Sequence, residues 1–148
     1  MSSYTQLLYQ IVFSTKNRER VLAKNNRTIL FNYMAGIIHN KNCHLYIING
    51  VEDHVHIVTH IHQSIALASF VKDIKVASSL FIKEQKLFDN FSSWQVGYGA
   101  FTYSIKELNR VITYVANQEK HHQEKSYIEE YTILLKQHRV EYDERYLL

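Results

Sequence analysis

The sequence predicts an α+β protein built on an antiparallel sheet with two helices on one face, followed by C-terminal helices. Three observations carry this expectation. Segments rich in β-branched and aromatic residues alternate with helix-period segments in the order β-α-β-β-α-β. One of them, HVHIVTHIH over 54–62, alternates apolar and polar residues with period two. Two Ser-x-x-Glu helix starts then follow near the end of the chain. That order is the split βαβ arrangement of ferredoxin-like (RRM-like) domains, here with extra C-terminal helices.

Each element has its own signal. Residues 4–14, YTQLLYQIVFS, predict the first strand, and TKNRER follows as a basic loop. Ile29, Leu30, Tyr33, Met34, Ile37 and Ile38 share one helical face and predict the first helix, with Asn25 or Asn26 as its cap. A second strand over about 43–48 ends at Asn49-Gly50, a turn signal for a tight hairpin. In the third strand Val55, Ile57, Thr59 and Ile61 point one way, and His54, His56, His60 and His62 the other. The histidines are therefore expected on a polar, half-exposed surface. Leu67, Val71, Ile74, Ala77 and Phe81 predict a second helix. Residues 88–97, with Trp94 and Gly97, read as irregular, and GYGAFTY as a short fourth strand. Capping boxes at Ser104/Glu107 and Ser126/Glu129 each open a helix. No repeat, low-complexity tract or linker interrupts the chain, so residues 1–148 are expected to form one domain.

Composition narrows the classes. A chain of 148 residues with 46% apolar and 21% charged residues can build a core, which excludes wholesale disorder. Cys43 is the only cysteine, so no internal disulfide framework exists. No apolar run approaches the ~20 residues of a membrane span, and MSSYTQLLYQIVF lacks the layout of a signal peptide. A cytoplasmic protein without a membrane partner is expected. The net charge of +3 is mild, yet Lys16, Arg18, Arg20, Lys24 and Arg27 crowd together in a chain with 11 tyrosines. Such a patch suits phosphate contacts and base stacking, and equally a solvated loop.

Two constellations can carry chemistry. His54 and His56, at i and i+2 on a strand, project from one face about 7 Å apart, so one divalent cation is within reach of both. Asp53 could orient a ring or serve the turn. Taken alone, H-x-H reads equally well as polar residues on an amphipathic strand. Tyr114 and Gln118 lie four apart in the helix opened by Ser104 and share a face. A phenol with a pKa near 10 is a poor nucleophile until a divalent cation that also binds the phosphate sits beside it. Gln118 could add an oxygen ligand to the same ion. Tyr114 could instead be a packing residue, and His121-His122 a polar helix end rather than ligands.

FSTKNRER after the first strand, DHVH on a central strand, VKDIKVASS in the second helix, a tryptophan before GYGAF and YVANQEKHH on a late helix occur in this order. Together they resemble the single-tyrosine transposases of the HUH endonuclease superfamily. These are encoded by the smallest bacterial and archaeal insertion sequences (the IS200-like family), with REP-associated transposases as relatives. The resemblance runs from about Tyr4 to Leu135. It implies that His54 and His56 hold a catalytic Mg²⁺ or Mn²⁺, with Gln118 as third ligand. It implies that Tyr114 attacks the scissile phosphate of single-stranded DNA, leaving a 5′-phosphotyrosine and a free 3′-OH that can later attack in reverse, with no nucleotide cofactor. It further implies a homodimer, whose tyrosine helix can serve the partner's histidines, and DNA hairpins near the element ends. Lys16, Arg18, Arg20, Lys72 and Lys75 are the candidate DNA contacts.

Rival classes are a non-catalytic ferredoxin-like nucleic-acid-binding module, and a zinc protein using Cys43 or His44 with the DHVH pair. The first would expose aromatics where this sheet carries histidines. The spacings of the second match no tight structural zinc pattern. A domesticated relative that cuts without transposing is a variant of the main reading.

Overall fold

A computed structural model describes residues 2–147. Four strands, β1 (Leu8–Ser14), β2 (His44–Gly50), β3 (His54–His60) and β4 (Gly99–Thr102), form one antiparallel sheet in the order β2-β3-β1-β4. Helices α1 (Lys24–Asn40) and α2 (Leu67–Gln85) complete the ferredoxin-like β-α-β-β-α-β unit. Three further helices follow: α3 (Leu108–Ala116), α4 (Gln118–Glu124) and α5 (Tyr127–Gln137). No helix among the described residues is long and apolar enough to cross a membrane.

The period-two patterns divide the sheet into two faces with different tasks. Ile11 and Phe13 of β1 and Val55 and Ile57 of β3 point to one side, where they bury against Leu30, Met34 and Ile38 of α1 and Phe70 and Ile74 of α2. Leu8 and Val58 point to the other and pack on Val111 and Val115 of α3. Val12 and Phe101 bury there against Tyr127, Leu134 and Leu135 of α5. Strands buried on both faces this way are fixed in register, because a one-residue slip would exchange the two sets.

Several local expectations change. Neither Asn25 nor Asn26 caps α1: Ala23 holds that position without a side-chain bond, and the Asn26 amide donates to the Leu87 carbonyl at 2.9 Å. The hairpin turn is not at Asn49-Gly50. Gly50 is still paired with Val55, and residues 51–53 make the turn, closed by Val51 N–H donating to His54 O at 3.2 Å. Glycine is required at 50 for a close approach, since a Cβ there would lie 2.3 Å from the His54 carbonyl oxygen. The Ser104/Glu107 box is complete, whereas at Ser126 only half forms: its hydroxyl accepts from Glu129 N–H and donates to the Glu129 carboxylate. The 88–97 stretch is pinned, with Trp94 edge-on to Phe13 and its Nε1–H donating to Ser78 Oγ at 3.0 Å.

The helix expected to carry both Tyr114 and Gln118 is broken between them. α3 ends at Ala116, and Gln118 begins α4 after Asn117. The Asn49 amide, reaching over from β2, donates to the Val115 and Ala116 carbonyls at 2.9 and 3.2 Å. It supplies part of the capping that the last turn of a helix lacks.

Candidate active site

The second sheet face carries the candidate site. His54 and His56 are both 0% exposed, because α4 and α5 cover them, so the expected half-exposed polar surface is in fact a buried polar centre. Burial of this kind requires that every ring nitrogen have a partner. Asp53 Oδ1 lies 2.7 Å from His54 Nδ1, and Gln10 Oε1 lies 2.8 Å from His56 Nδ1. Both oxygens accept, so each Nδ1 carries a proton, and each Nε2 is left to donate to Glu130 when protonated or to offer a lone pair to a cation when not. Gln10 is itself fixed by donating from Nε2 to Tyr103 Oη at 2.7 Å.

Both Nε2 atoms aim at one carboxylate oxygen. Glu130 Oε1, from α5, lies 2.8 Å from His56 Nε2, 3.3 Å from His54 Nε2 and 3.1 Å from His122 Nε2. Gln118 Oε1 joins them, 3.3 Å from His54 Nε2 and 3.1 Å from His122 Nε2. The other oxygen of Glu130 accepts a short hydrogen bond from the Tyr114 hydroxyl and one from Gln118 Nε2 at 3.2 Å. Glu130 therefore bridges the imidazole cluster and the tyrosine oxygen.

The donor set fits a divalent cation. Imidazole lone pairs, a carboxylate oxygen and an amide oxygen are all electron-pair donors, and a common positive charge is what such a set lacks. Neighbouring ligands at bonds of about 2.1 Å and right angles stand roughly 3 Å apart; here Glu130 Oε1 lies 2.8–3.3 Å from the three imidazole nitrogens, and the four ligand atoms all fall within 4.8 Å of one another. Among the described residues, His54, His56, His122 and Glu130 form the one grouping of His, Cys, Asp and Glu side chains close enough to share an ion.

The charges interlock. Burial works against ionising Glu130, yet His56, His122 and His54 outweigh it and hold the carboxyl far below the usual range. Burial also works against a charged His54, but Asp53 and Glu130 raise it above an ordinary imidazole. His56 is pushed below the ordinary value, chiefly by burial. Burial and then the Glu130 charge push the Tyr114 hydroxyl well above a normal phenol, so Tyr114 is neutral at rest.

The site thus gathers His54, His56, Tyr114 and Gln118, as their spacing suggests, and adds three residues. Glu130 has a visible signal: it lies on the same α5 stripe as the buried Tyr127 and Leu134, where a carboxylate is out of place. His122 is one turn from Gln118 in α4, so the His121-His122 pair is more than a polar helix end. Gln10 is a polar residue in the middle of a buried strand.

The five basic candidates separate. Arg20 borders a cavity of about 390 Å³ that opens beside Asp53 and His122, together with Lys24 and Arg27. Lys16 and Arg18 sit in the short helical turn after β1. Lys72 and Lys75 lie on α2, whose buried residues pack on the opposite sheet face, and Lys75 Nζ donates to the Gln95 and Gly97 carbonyls. Neither rival reading fits this geometry. Cys43 is buried in the core on the α1/α2 side and His44 is exposed, so no zinc set forms with the DHVH pair. The sheet face on which an RRM-like module would stack bases is covered by α3 and α5.

Comparison with known proteins agrees with the layout. The family model described as transposase IS200-like matches residues 3–118. No curated protein matches the chain. Among solved structures, a crystal structure described as a candidate transposase from Deinococcus radiodurans R1 is 20% identical. It aligns over 80% of this chain and 95% of its own, with a TM-score of 0.62. A REP-associated tyrosine transposase bound to a REP hairpin is 14% identical, over 82% of this chain and 74% of its own, with a TM-score of 0.60. Glu130 and the whole of α5 fall after the matched segment.

Proposed function

Because the chain belongs to the IS200-like transposase family, whose members cut and rejoin DNA, we propose that it does so on single-stranded DNA with Tyr114 as nucleophile. The observation that carries this reading is the Tyr114 hydroxyl hydrogen-bonded to a carboxylate that also touches three imidazoles. His54, His56 and Gln118 would hold a divalent ion, Mg²⁺ or Mn²⁺, joined by His122 and Glu130. When bound, that ion supplies positive charge that polarises the scissile phosphate and offsets the forming phenolate.

The chain's own residues do the rest. Asp53 and Gln10 lock the two imidazoles in the tautomer that presents Nε2. As the tyrosine oxygen bonds to phosphorus, its proton passes to Glu130 Oε2 and the bond from phosphorus to the 3′-oxygen breaks. Water on the opposite side protonates that oxygen, which leaves a free 3′-OH, and the 5′ end is held as phosphotyrosine. The reverse attack rejoins a strand without a nucleotide cofactor, since the bond energy is retained.

The proposed substrate is single-stranded DNA bearing a hairpin, as the REP-hairpin complex of the structural neighbour supports. Arg20, Lys24, Arg27, Arg110 and Lys125 line the two cavities flanking the site and suit its phosphates. The proposed assembly is a homodimer. Tyr114 stands 6.2 Å ring to ring from His56 of its own chain, which supports each chain completing its own site.

The direct test is incubation with Mn²⁺ and a hairpin oligonucleotide, with single-stranded tails taken from the DNA flanking the gene. A covalent protein–DNA adduct is expected, lost in Tyr114→Phe and with the fully paired duplex. An undiminished adduct in Tyr114→Phe would remove the role from this residue.

A further inference from the structure

Beside Tyr114, between α3 and α5, lies a cavity of about 190 Å³. Its floor is apolar, made by Val111 and Leu134, with Ile133 at its edge. The Tyr103 ring forms a wall, and the Arg110 guanidinium lies 6.0 Å from that ring's centre. Tyr103 Oη accepts from Gln10, and among the described residues its own proton has no acceptor. The cavity is smaller than the roughly 300–1,000 Å³ of pockets for drug-sized ligands, so it suits one planar ring system. An apolar floor, an aromatic wall, a cation over that wall and one unspent donor are the chemistry that holds an unstacked base.

From this we propose that the cavity is a nucleobase pocket for the first nucleotide 3′ of the cut, an inference that rests on Tyr114 being the nucleophile. Attack at phosphorus is in line, so the 3′-oxygen departs on the side opposite Tyr114. The nucleotide retained through its 5′-oxygen, equatorial in that attack, stays attached to the tyrosine. Tyr114 itself forms part of the cavity wall, which leaves that nucleotide's base as the one within reach. The pocket reads the strand at the position that becomes covalently attached. It also draws the base out of the stack, so that the phosphate next to it is presented to the tyrosine.

The test scans a single abasic site along the hairpin oligonucleotide, measuring adduct formation with the wild type and affinity with Tyr114→Phe. Removing the base 3′ of the cut is expected to weaken binding by about ten-fold, the scale of one base–aromatic stack, and more than removal at neighbouring positions. Ile133→Trp, which fills the cavity mouth, should bind the intact and abasic strands alike. Equal affinity for intact and abasic strands at that position overturns the pocket, as does full discrimination by Ile133→Trp. If adduct forms equally on both strands and both bind equally, the pocket falls and strand cleavage stands. If no adduct forms but one position still discriminates ten-fold and Ile133→Trp abolishes that, the cavity holds a base but its assignment to the nucleotide 3′ of a cut is overturned together with cleavage.

Discussion

Replacing Glu130 with alanine removes the one negative charge at the centre of three imidazoles. The side chain is only 4% exposed, and its oxygens meet His54, His56, His122, Tyr114 and Gln118. Without it, His54 loses one of the two carboxylates that favour its charged form, and the tyrosine hydroxyl and Gln118 amide lose their acceptor. Removing one partner of a buried pair costs about 3–5 kcal/mol. For a domain near 150 residues, each kcal/mol shifts Tm by roughly 2–4 °C, so a fall of roughly 6–20 °C follows. The assay is thermal unfolding by circular dichroism in chelator, where no ion can substitute for the lost charge. Glu130→Gln should lose less than half as much. Its amide keeps an oxygen for Tyr114 and offers N–H groups to the imidazole lone pairs. Adding Mn²⁺ should raise the wild-type Tm more than that of Glu130→Ala, since the variant lacks a ligand. If Glu130→Ala melts within about 2 °C of the wild type in chelator, no more than the shift expected for about 1 kcal/mol, the carboxylate is not the counter-charge argued here.

Other outcomes follow from the same geometry. His56→Ala should cost about 2–4 kcal/mol in chelator, because it strands Gln10 and Glu130 in the interior; chemical denaturation measures this, and a loss under about 1 kcal/mol would mean that water replaces the ring at no cost. Titration calorimetry should find Mn²⁺ bound more tightly than Mg²⁺, as expected of an imidazole-rich set, and His122→Ala should narrow the gap. Burial holds Lys75 down at about 8. Between pH 8 and the unfolded value of 10.5 the unfolded chain therefore keeps a proton that the native state has released, and native stability gains with pH. Lys75→Met should lack this gain, so the wild type should gain stability relative to the variant from pH 7.5 to pH 10; a constant difference would show that Lys75 is not desolvated.

The architecture was legible because period two and period 3.6 survive almost uninterrupted from Leu8 to Phe81. His54 and His56 were correctly placed on one face, but alternation says which way a side chain points and not what covers it. Their burial depends on α5, whose Glu130 lies 74 residues beyond His56. The Asn49-Gly50 pair misled for a definite reason. The same two residues that favour a turn serve here to cap α3 and to let two backbones approach. The helix break after Ala116 left no trace in YVANQEK, which holds neither glycine nor proline; one partner is an amide from another element. Glu130 was readable in principle, as a carboxylate on the buried stripe of α5. Glu129 beside it masks that signal by completing an ordinary helix start.

The division of β3 between two faces has a genetic corollary. A substitution at Ile57 injures the core and one at His56 injures the site, each leaving the other nearly intact. A one-codon insertion between them does both at once. Every residue downstream would rotate to the wrong side, sending isoleucine among the imidazoles and polar residues under α1 and α2. Neighbouring strands could not compensate by sliding, because β1 carries the same two-sided alternation and would have to shift with it. In-frame length changes should therefore be absent from β1 and β3 in any functional collection of variants, while the residues beyond α5 absorb them. A deep insertion scan would draw this strand pair as the one stretch where chain length, more than residue identity, is under selection.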